Sequence, residues 1–218
     1  MHRTIKFLVE KLYAPFLLRY LKRDRYYESH GIKLLVKKGV FHPGFFFSTR
    51  FLLGELLLLP LRNKTLLELG AGSGLISFSA AKARAVVTAS DISSVAIEGL
   101  AENTEQLKLP VKVLQSNLFE NIPKQTFDYI IINPPYYPKK AETEEQMAWF
   151  CGAGFEYFHA LFKDLGSFVQ RNTIVLISLS EDCDLERIRL IARGYNFNFR
   201  LHKKRRILWE QNYIFRIE

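Results

Sequence analysis

Glu68-Leu69-Gly70-Ala71-Gly72-Ser73-Gly74 follows the apolar run Thr65-Leu66-Leu67 and leads into Leu75-Ile76-Ser77-Phe78. A buried strand that runs into glycines and then a helical segment is the first βα turn of a nucleotide-binding sheet. Glycines let the backbone pass close to a ligand and admit positive φ. Their spacing narrows the ligand. A GxGxxG turn brings a pyrophosphate against the helix N-terminus. Here the third glycine falls one position early, giving GxGxG, a turn suited to a ligand without a pyrophosphate. Asp91 ends the next strand, twenty-one residues after Gly70, where a carboxylate can accept hydrogen bonds from ribose hydroxyls.

Outward from this turn, strands and helices alternate. Strands are expected at 65–69, 85–90, 111–114, 127–132 and 173–179, with helices at 75–84, 93–107, 155–168 and 185–193, the last capped by Gly194. Residues 196–202 and 212–217 read as two antiparallel strands. Repeated βαβ units imply a doubly wound, mostly parallel seven-stranded α/β sheet, closed by an antiparallel C-terminal edge hairpin. Before it, residues 51–61 form an apolar helix and residues 42–49 an aromatic loop. Ile32–Val36 and Val40-Phe41 suggest a short hairpin turning near Lys37-Lys38-Gly39. Ile5, Leu8, Leu12 and Phe16 give residues 4–21 an amphipathic helix, with Pro15 as a kink. Such a helix packs on the domain, caps a partner or lies on a membrane face. Two parts follow: a basic extension over 1–40 and a catalytic domain over 41–218.

The second chemical stretch is Phe127-Asp128-Tyr129-Ile130-Ile131-Ile132-Asn133-Pro134-Pro135-Tyr136. Tyr129 to Ile132 are all β-branched or aromatic, a strand buried on both faces. Two prolines then end it, and Asn133 is held extended on a stiff turn. The Asn133 side-chain oxygen and the Pro134 carbonyl are two acceptors with no proline N–H to compete. They can hold both hydrogens of a planar –NH2 group while Tyr136 lies against its flat face. The structural alternative is a tight turn after a core strand.

Hydrophobic residues make up 48% and charged residues 24%, enough for a full core and incompatible with global disorder. Cys151 and Cys183 show neither CxxC nor Cys/His spacing, so no disulfide framework or structural zinc is expected, and the compartment is read as cytoplasmic. Leu56 to Leu61 is the longest apolar run, far short of a membrane span. The net charge of +9 is uneven. Residues 1–40 carry ten Lys/Arg against three Asp/Glu (+7), residues 187–218 nine against two (+7), and residues 41–186 twelve against seventeen (−5). Basic ends on a neutral-to-acidic body suit an anionic partner such as RNA, or a solubilising surface. Lys203-Lys204-Arg205-Arg206 is expected as a solvated loop that can grip RNA phosphates. Trp149, Phe150, Phe155, Tyr157 and Phe158 either wall a substrate pocket or fill the core. His42, His159 and His202 read as surface or packing residues. Glu142, Glu144 and Glu145 read as a helix N-terminus without a metal.

Taken together, residues 67–74, Asp91 and Asn133-Pro134-Pro135-Tyr136 resemble the class I methyltransferases that use S-adenosylmethionine. The resemblance covers roughly residues 40–218. It is greatest to the amino- and amide-methylating branch: release-factor glutamine N5-, adenine N6- and some ribosomal RNA guanine N2-methyltransferases. It implies that Gly70, Gly72 and Gly74, with Glu68 and Ala71 in the same turn, cradle the methionine part and ribose. Asp91 would bind the ribose diol, Ile92 would line the adenine pocket, and Asn117 and Leu118 would contact adenine. Thr49 would sit near the cofactor carboxylate. Asn133, Pro134, Pro135 and Tyr136 would carry the reaction. Relatives often have Asp where Asn117 stands, and an acidic stretch where this chain has Gly44-Phe45-Phe46-Phe47. Bacterial release-factor enzymes also carry a long N-terminal helical domain, which this sequence does not show, an argument against that acceptor. The expected activity is methyl transfer to a planar NH2 group of an RNA or DNA base or a protein glutamine. A noncatalytic RNA-binding or membrane-associated protein is the alternative, and a nicotinamide-dependent oxidoreductase the lesser one.

Overall fold

The computed structural model describes residues 22–45, 47–207 and 210–218. The amphipathic helix expected at 4–21 lies outside the described residues. The chain opens with an antiparallel hairpin, β1 (Arg25–Ser29) and β2 (Ile32–Val36). Then follow α1 (Phe47–Leu56), β3 (Thr65–Leu69), α2 (Leu75–Lys82), β4 (Val86–Asp91), α3 (Ser94–Leu107) and β5 (Val111–Gln115). After these come β6 (Tyr129–Ile132), α4 (Glu144–Met147), α5 (Glu156–Leu165), β7 (Ile174–Ser180), α6 (Leu185–Gly194), β8 (Phe199–Ile207) and β9 (Glu210–Ile217). Seven strands form one sheet in the order β5-β4-β3-β6-β7-β9-β8, with β9 antiparallel to both neighbours.

Strand alternation divides the core into two layers. Leu66, Ile131, Leu176 and Ile214 face Leu52, Leu56 and Phe78 on one side. Leu67, Ile130, Ile132, Val175 and Phe215 face Phe158, Phe162 and Ile188 on the other. All four residues of β6 are buried, as an unbroken apolar run at the centre of a sheet requires. At the base of β6, Asp128 accepts from the Thr65 N–H at 2.9 Å and from Lys64 at 3.1 Å, which fixes its start beside β3.

Several elements depart from the sequence expectation. The hairpin pairs β2 with residues 25–29, not with Val40-Phe41, and turns at His30-Gly31 (φ 52° and 67°). Two left-handed residues match the twist of a two-residue hairpin turn, whereas Val40 packs with Val36 and Ala96. The apolar helix starts earlier, at Phe47, and stops at Leu56, because Pro60 has no N–H for the Leu56 carbonyl four residues back and its ring crowds it. The expected aromatic loop is therefore helical from Phe47 to Thr49. Helix α6 runs through Gly194, and the left-handed residue beyond it is Asn196 (φ 65°), a residue that tolerates that region. Lys203 to Arg206 are not a loop. They lie in β8, paired with Ile214 to Gln211 of β9, because an edge strand can carry charge on both faces.

Candidate active site

Register brings the two motifs together. Leu69 of β3 stands opposite Ser90 of β4 and Ile132 of β6. One residue on, Gly70, Asp91 and Asn133 therefore end three adjacent strands at one level, neighbours separated by about 5 Å. The strand order reverses between β3 and β6, the switch point where open α/β sheets hold ligands. A cavity of about 600 Å3 opens there. It is lined by Thr49, Glu68, Gly70, Ala71, Gly72, Asp91, Ile92, Asn117, Leu118, Asn133, Pro134, Pro135 and Tyr136.

Gly74 is the expected cofactor residue that does not line it. At φ 79° it begins α2, and a Cβ there would sit 2.5 Å from Leu100 Cδ2 and 2.7 Å from Phe78 Cε2. Its role is the close fit of α2 against α3, which a side chain would prevent.

Glu68 is the one charge in an otherwise apolar strand. It is buried, and its carboxyl accepts from the Ser77 N–H at 2.8 Å and from the Ser77 hydroxyl. It thus caps the first turn of α2, where a dinucleotide fold would seat a pyrophosphate. Burial pushes its pKa up to about 8, the Ser77 bonds opposing and Asp91 adding to the shift. On the far side, Asp91 Oδ2 accepts from the Gly72 N–H at 2.8 Å and Oδ1 from the Ser93 N–H at 2.9 Å. The Ile92 N–H bonds the same carboxylate, and with three donors engaged it keeps acceptor capacity for a hydroxyl. Burial raises the Asp91 pKa, against those backbone bonds.

At the acceptor end, the half-buried Asn133 donates through Nδ2 to Thr49 Oγ1 at 3.1 Å. Thr49 comes from α1, eighty-four residues away in sequence. The bond leaves Oδ1 as the amide's acceptor. The Tyr136 hydroxyl is hydrogen-bonded to Ser180 at the end of β7, and burial drives its pKa well above the ordinary tyrosine range. Beyond it, the Tyr137 N–H donates to Trp149 O at 3.0 Å and the Cys151 N–H to Tyr137 O at 2.9 Å. These bonds fold residues 138–150 back as a flap whose Trp149 ring lies 5.2 Å from Phe41. Trp149, Phe150 and Tyr157 line the cavity, whereas Phe158 is core.

Asn117 donates through Nδ2 to Glu120 Oε1 at 2.8 Å, leaving its side-chain oxygen as an acceptor. None of the three histidines considered lines the cavity. His42 is buried, His159 meets the Tyr195 hydroxyl at 3.4 Å, and His202 meets Glu55 at 3.2 Å. Sequence reasoning missed Ser48, Lys140 and Glu156 at the wall and read Glu144 only as a helix start. No spacing rule marks residues brought in by a flap, as Lys140 and Glu144 are, or by the ends of separate helices, as Ser48 and Glu156 are. Among the described residues no group of three or more His, Cys, Asp or Glu is placed to hold a metal. No described helix is long and apolar enough to cross a membrane.

Because Glu68 occupies the helix end, the cavity offers room for a nucleoside with a short chain beside an amide, not a seat for a pyrophosphate. The class so defined is the Rossmann-like methyltransferases that use S-adenosylmethionine. The methyltransferase small-domain family matches residues 31–155, and the chain belongs to it. A Methanocaldococcus jannaschii protein that carries a protein N5-glutamine methyltransferase name is 31% identical over 156 residues, covering 69% of this chain and 77% of its own. The release factor glutamine methyltransferase of Rhodopirellula baltica is 48% identical over 79 residues, but these are 34% of this chain and 27% of that protein. Among solved structures, the T. thermophilus 16S rRNA methyltransferase RsmC, with AdoMet and guanosine, superposes with a TM-score of 0.66 at 18% identity, covering 89% of this chain and 50% of that one. An E. cuniculi complex responsible for methylation of a translation termination factor gives 0.61 at 21% identity, over 83% and 98%. At these identities the two structures speak to the fold. The chain is a methyltransferase of that family, and its sheet shares the fold of the AdoMet-bound structure.

Proposed function

We propose that this enzyme methylates the side-chain amide nitrogen of a glutamine in a protein acceptor. The observation that carries the reading is the Asn133 amide at the cavity wall, its Nδ2 engaged by Thr49 so that Oδ1 is its acceptor. The glutamine methyltransferase names of the relatives support the same acceptor. Residues 41–218 act as the catalytic domain, residues 1–40 as an extension, and the reaction belongs to the cytoplasm.

The bound donor supplies an electrophilic methyl on a sulfonium, and its transfer to nitrogen leaves a thioether. The protein's part is to hold and orient the acceptor. Asn133 Oδ1 and the Pro134 carbonyl accept the two amide hydrogens. As positive charge develops on nitrogen, these preplaced dipoles stabilise it more than they stabilise the neutral amide. The methylated nitrogen is strongly acidic and gives up one proton once the product reaches solvent, so no strong base is required. Asp91 holds the donor's ribose through its remaining acceptor capacity, and Glu68 keeps the α2 end closed. Tyr136, anchored on Ser180, braces the acceptor's flat face while the Phe41–Trp149 flap excludes water, which favours in-line approach.

The test is incubation of the full chain with methyl-labelled donor and separate protein, RNA and DNA fractions. Label recovered as N5-methylglutamine after protein digestion is the expected result. Label confined to a nucleobase would overturn the acceptor.

A further inference from the structure

The most concentrated charge among the described residues lies on β8, away from the cavity wall. All residues from Leu201 to Arg206 are exposed. Lys203 pairs with Glu55 at 3.8 Å and Arg200 with Glu218 at 3.3 Å, whereas no carboxylate ion-pairs with Lys204, Arg205 or Arg206 among the described residues. Their partners across β9 are Tyr213, Asn212 and Gln211, all neutral.

Register places this run at the catalytic end of the sheet. Ile132, the residue before Asn133, aligns through Ile177 and Phe215 with Leu201. Lys203 to Arg206 therefore lie at the level of the Asn-Pro-Pro-Tyr turn, three strand spacings or about 14 Å to its side. Arg205 aligns through Asn212 with Ser180, the residue that anchors Tyr136. Two further pairs, Arg206 with Gln211 and Ile207 with Glu210, continue past the last β7 partner, so the arm projects beyond β7 at the catalytic end of the sheet.

We propose that this arm holds a nucleic-acid strand by its phosphates, at the catalytic end of the sheet. Residues 202–206 present no apolar side chain, so a partner binds them through charge and not through buried area. That favours a polyanion of regular charge density over a folded protein face, whose binding energy is concentrated in buried aromatic and apolar anchors. Residues 41–186 have a net charge of −5 and residues 187–218 of +7, so within the catalytic domain the attraction is local to the C-terminal segment that carries the arm. This goes beyond the glutamine reading and does not depend on it: the arm would bring the enzyme to an acceptor carried on an RNA-rich assembly.

The test is fluorescence anisotropy of the full chain with a labelled single-stranded RNA of about 20 nucleotides and a DNA strand of the same sequence, across a KCl series. The variant Lys204→Gln/Arg205→Gln/Arg206→Gln is compared with Lys163→Gln/Arg187→Gln/Arg193→Gln, which removes equal charge from exposed helix positions. Thermal midpoints and donor affinity are measured for both. The arm variant should bind at least about tenfold more weakly, and the slope of log K against log salt should shrink by about 2, at roughly 0.7 per phosphate. The control should change less than about twofold. Binding of either strand through the arm supports the proposal. It is overturned if wild type binds neither strand, if both triple variants lose equally, or if polyglutamate alone shows the arm dependence.

Discussion

Once Thr49 takes the Asn133 Nδ2, the amide has one way to meet an acceptor, and it meets it with oxygen. Asn133→Ala should lower kcat by about 10²–10³-fold while leaving donor affinity within about twofold, read by initial rates and calorimetry. Thr49→Val removes the bond that fixes the amide's sense. It should cost about 1 kcal/mol, roughly fivefold in kcat, which Thr49→Ser recovers because the hydroxyl remains. Glu68 has a different consequence. Its pKa is raised from the ordinary 4.5 to about 8. Below about pH 4.5 both folded and unfolded chains hold this proton, so stability is full. Between 4.5 and 8 only the unfolded chain releases it, and stability falls as pH rises. Above 8 the loss is complete. Glu68→Gln cannot titrate, so in urea denaturation at a series of pH values the wild type should lose stability relative to this variant from pH 5 to 8. A flat difference would show that the carboxyl is ionised throughout.

At the scale of elements, two glycines carry opposite expectations. Gly74 combines φ 79° with neighbours that leave no space for a Cβ, so Gly74→Ala should destabilise by about 2–4 kcal/mol. Gly54 is exposed inside α1 with nothing within 4 Å of its Cβ position, so Gly54→Ala should stabilise by about 0.5–1 kcal/mol. Thermal denaturation of both variants checks the pair. The same elements show what patterning reveals. The run Tyr129 to Ile132 is legible as a central strand because unbroken β-branched sequence has no solvated face. Lys203 to Arg206 reads as a loop in sequence because strand pairing at an edge leaves no period in a run of charges. The β1 strand escaped because Arg25-Tyr26-Tyr27-Glu28 alternates only between half-buried and exposed positions.

In the molecule as a whole, the β1–β2 hairpin is strapped to α3 and α2. Asn103 is fully buried, accepts from the Leu35 N–H at 2.8 Å and donates to Leu35 O at 2.9 Å. Lys37 reaches Glu102 at 2.9 Å and Glu98 at 3.1 Å, and the Lys82 ammonium donates to Gly31 O at 3.0 Å. Asn103→Ala leaves two partly buried backbone groups of β2 without this partner and should cost about 1–3 kcal/mol, seen as a lower urea midpoint. What the amino-acid order determined by itself was the alternation of strand and helix, the GxGxG turn, Asp91 and the Asn-Pro-Pro-Tyr stop. Each is a local matter of period, glycine freedom or proline stiffness. Only the tertiary structure decided that Gly74 packs and lines nothing, that Thr49 orients Asn133 from eighty-four residues away, and that the basic run stands at the catalytic end of the sheet. Those are facts of register and of faces meeting. A chain read one residue after another carries its periods within itself, but the partner across a strand or a cavity is chosen by how the whole sheet closes.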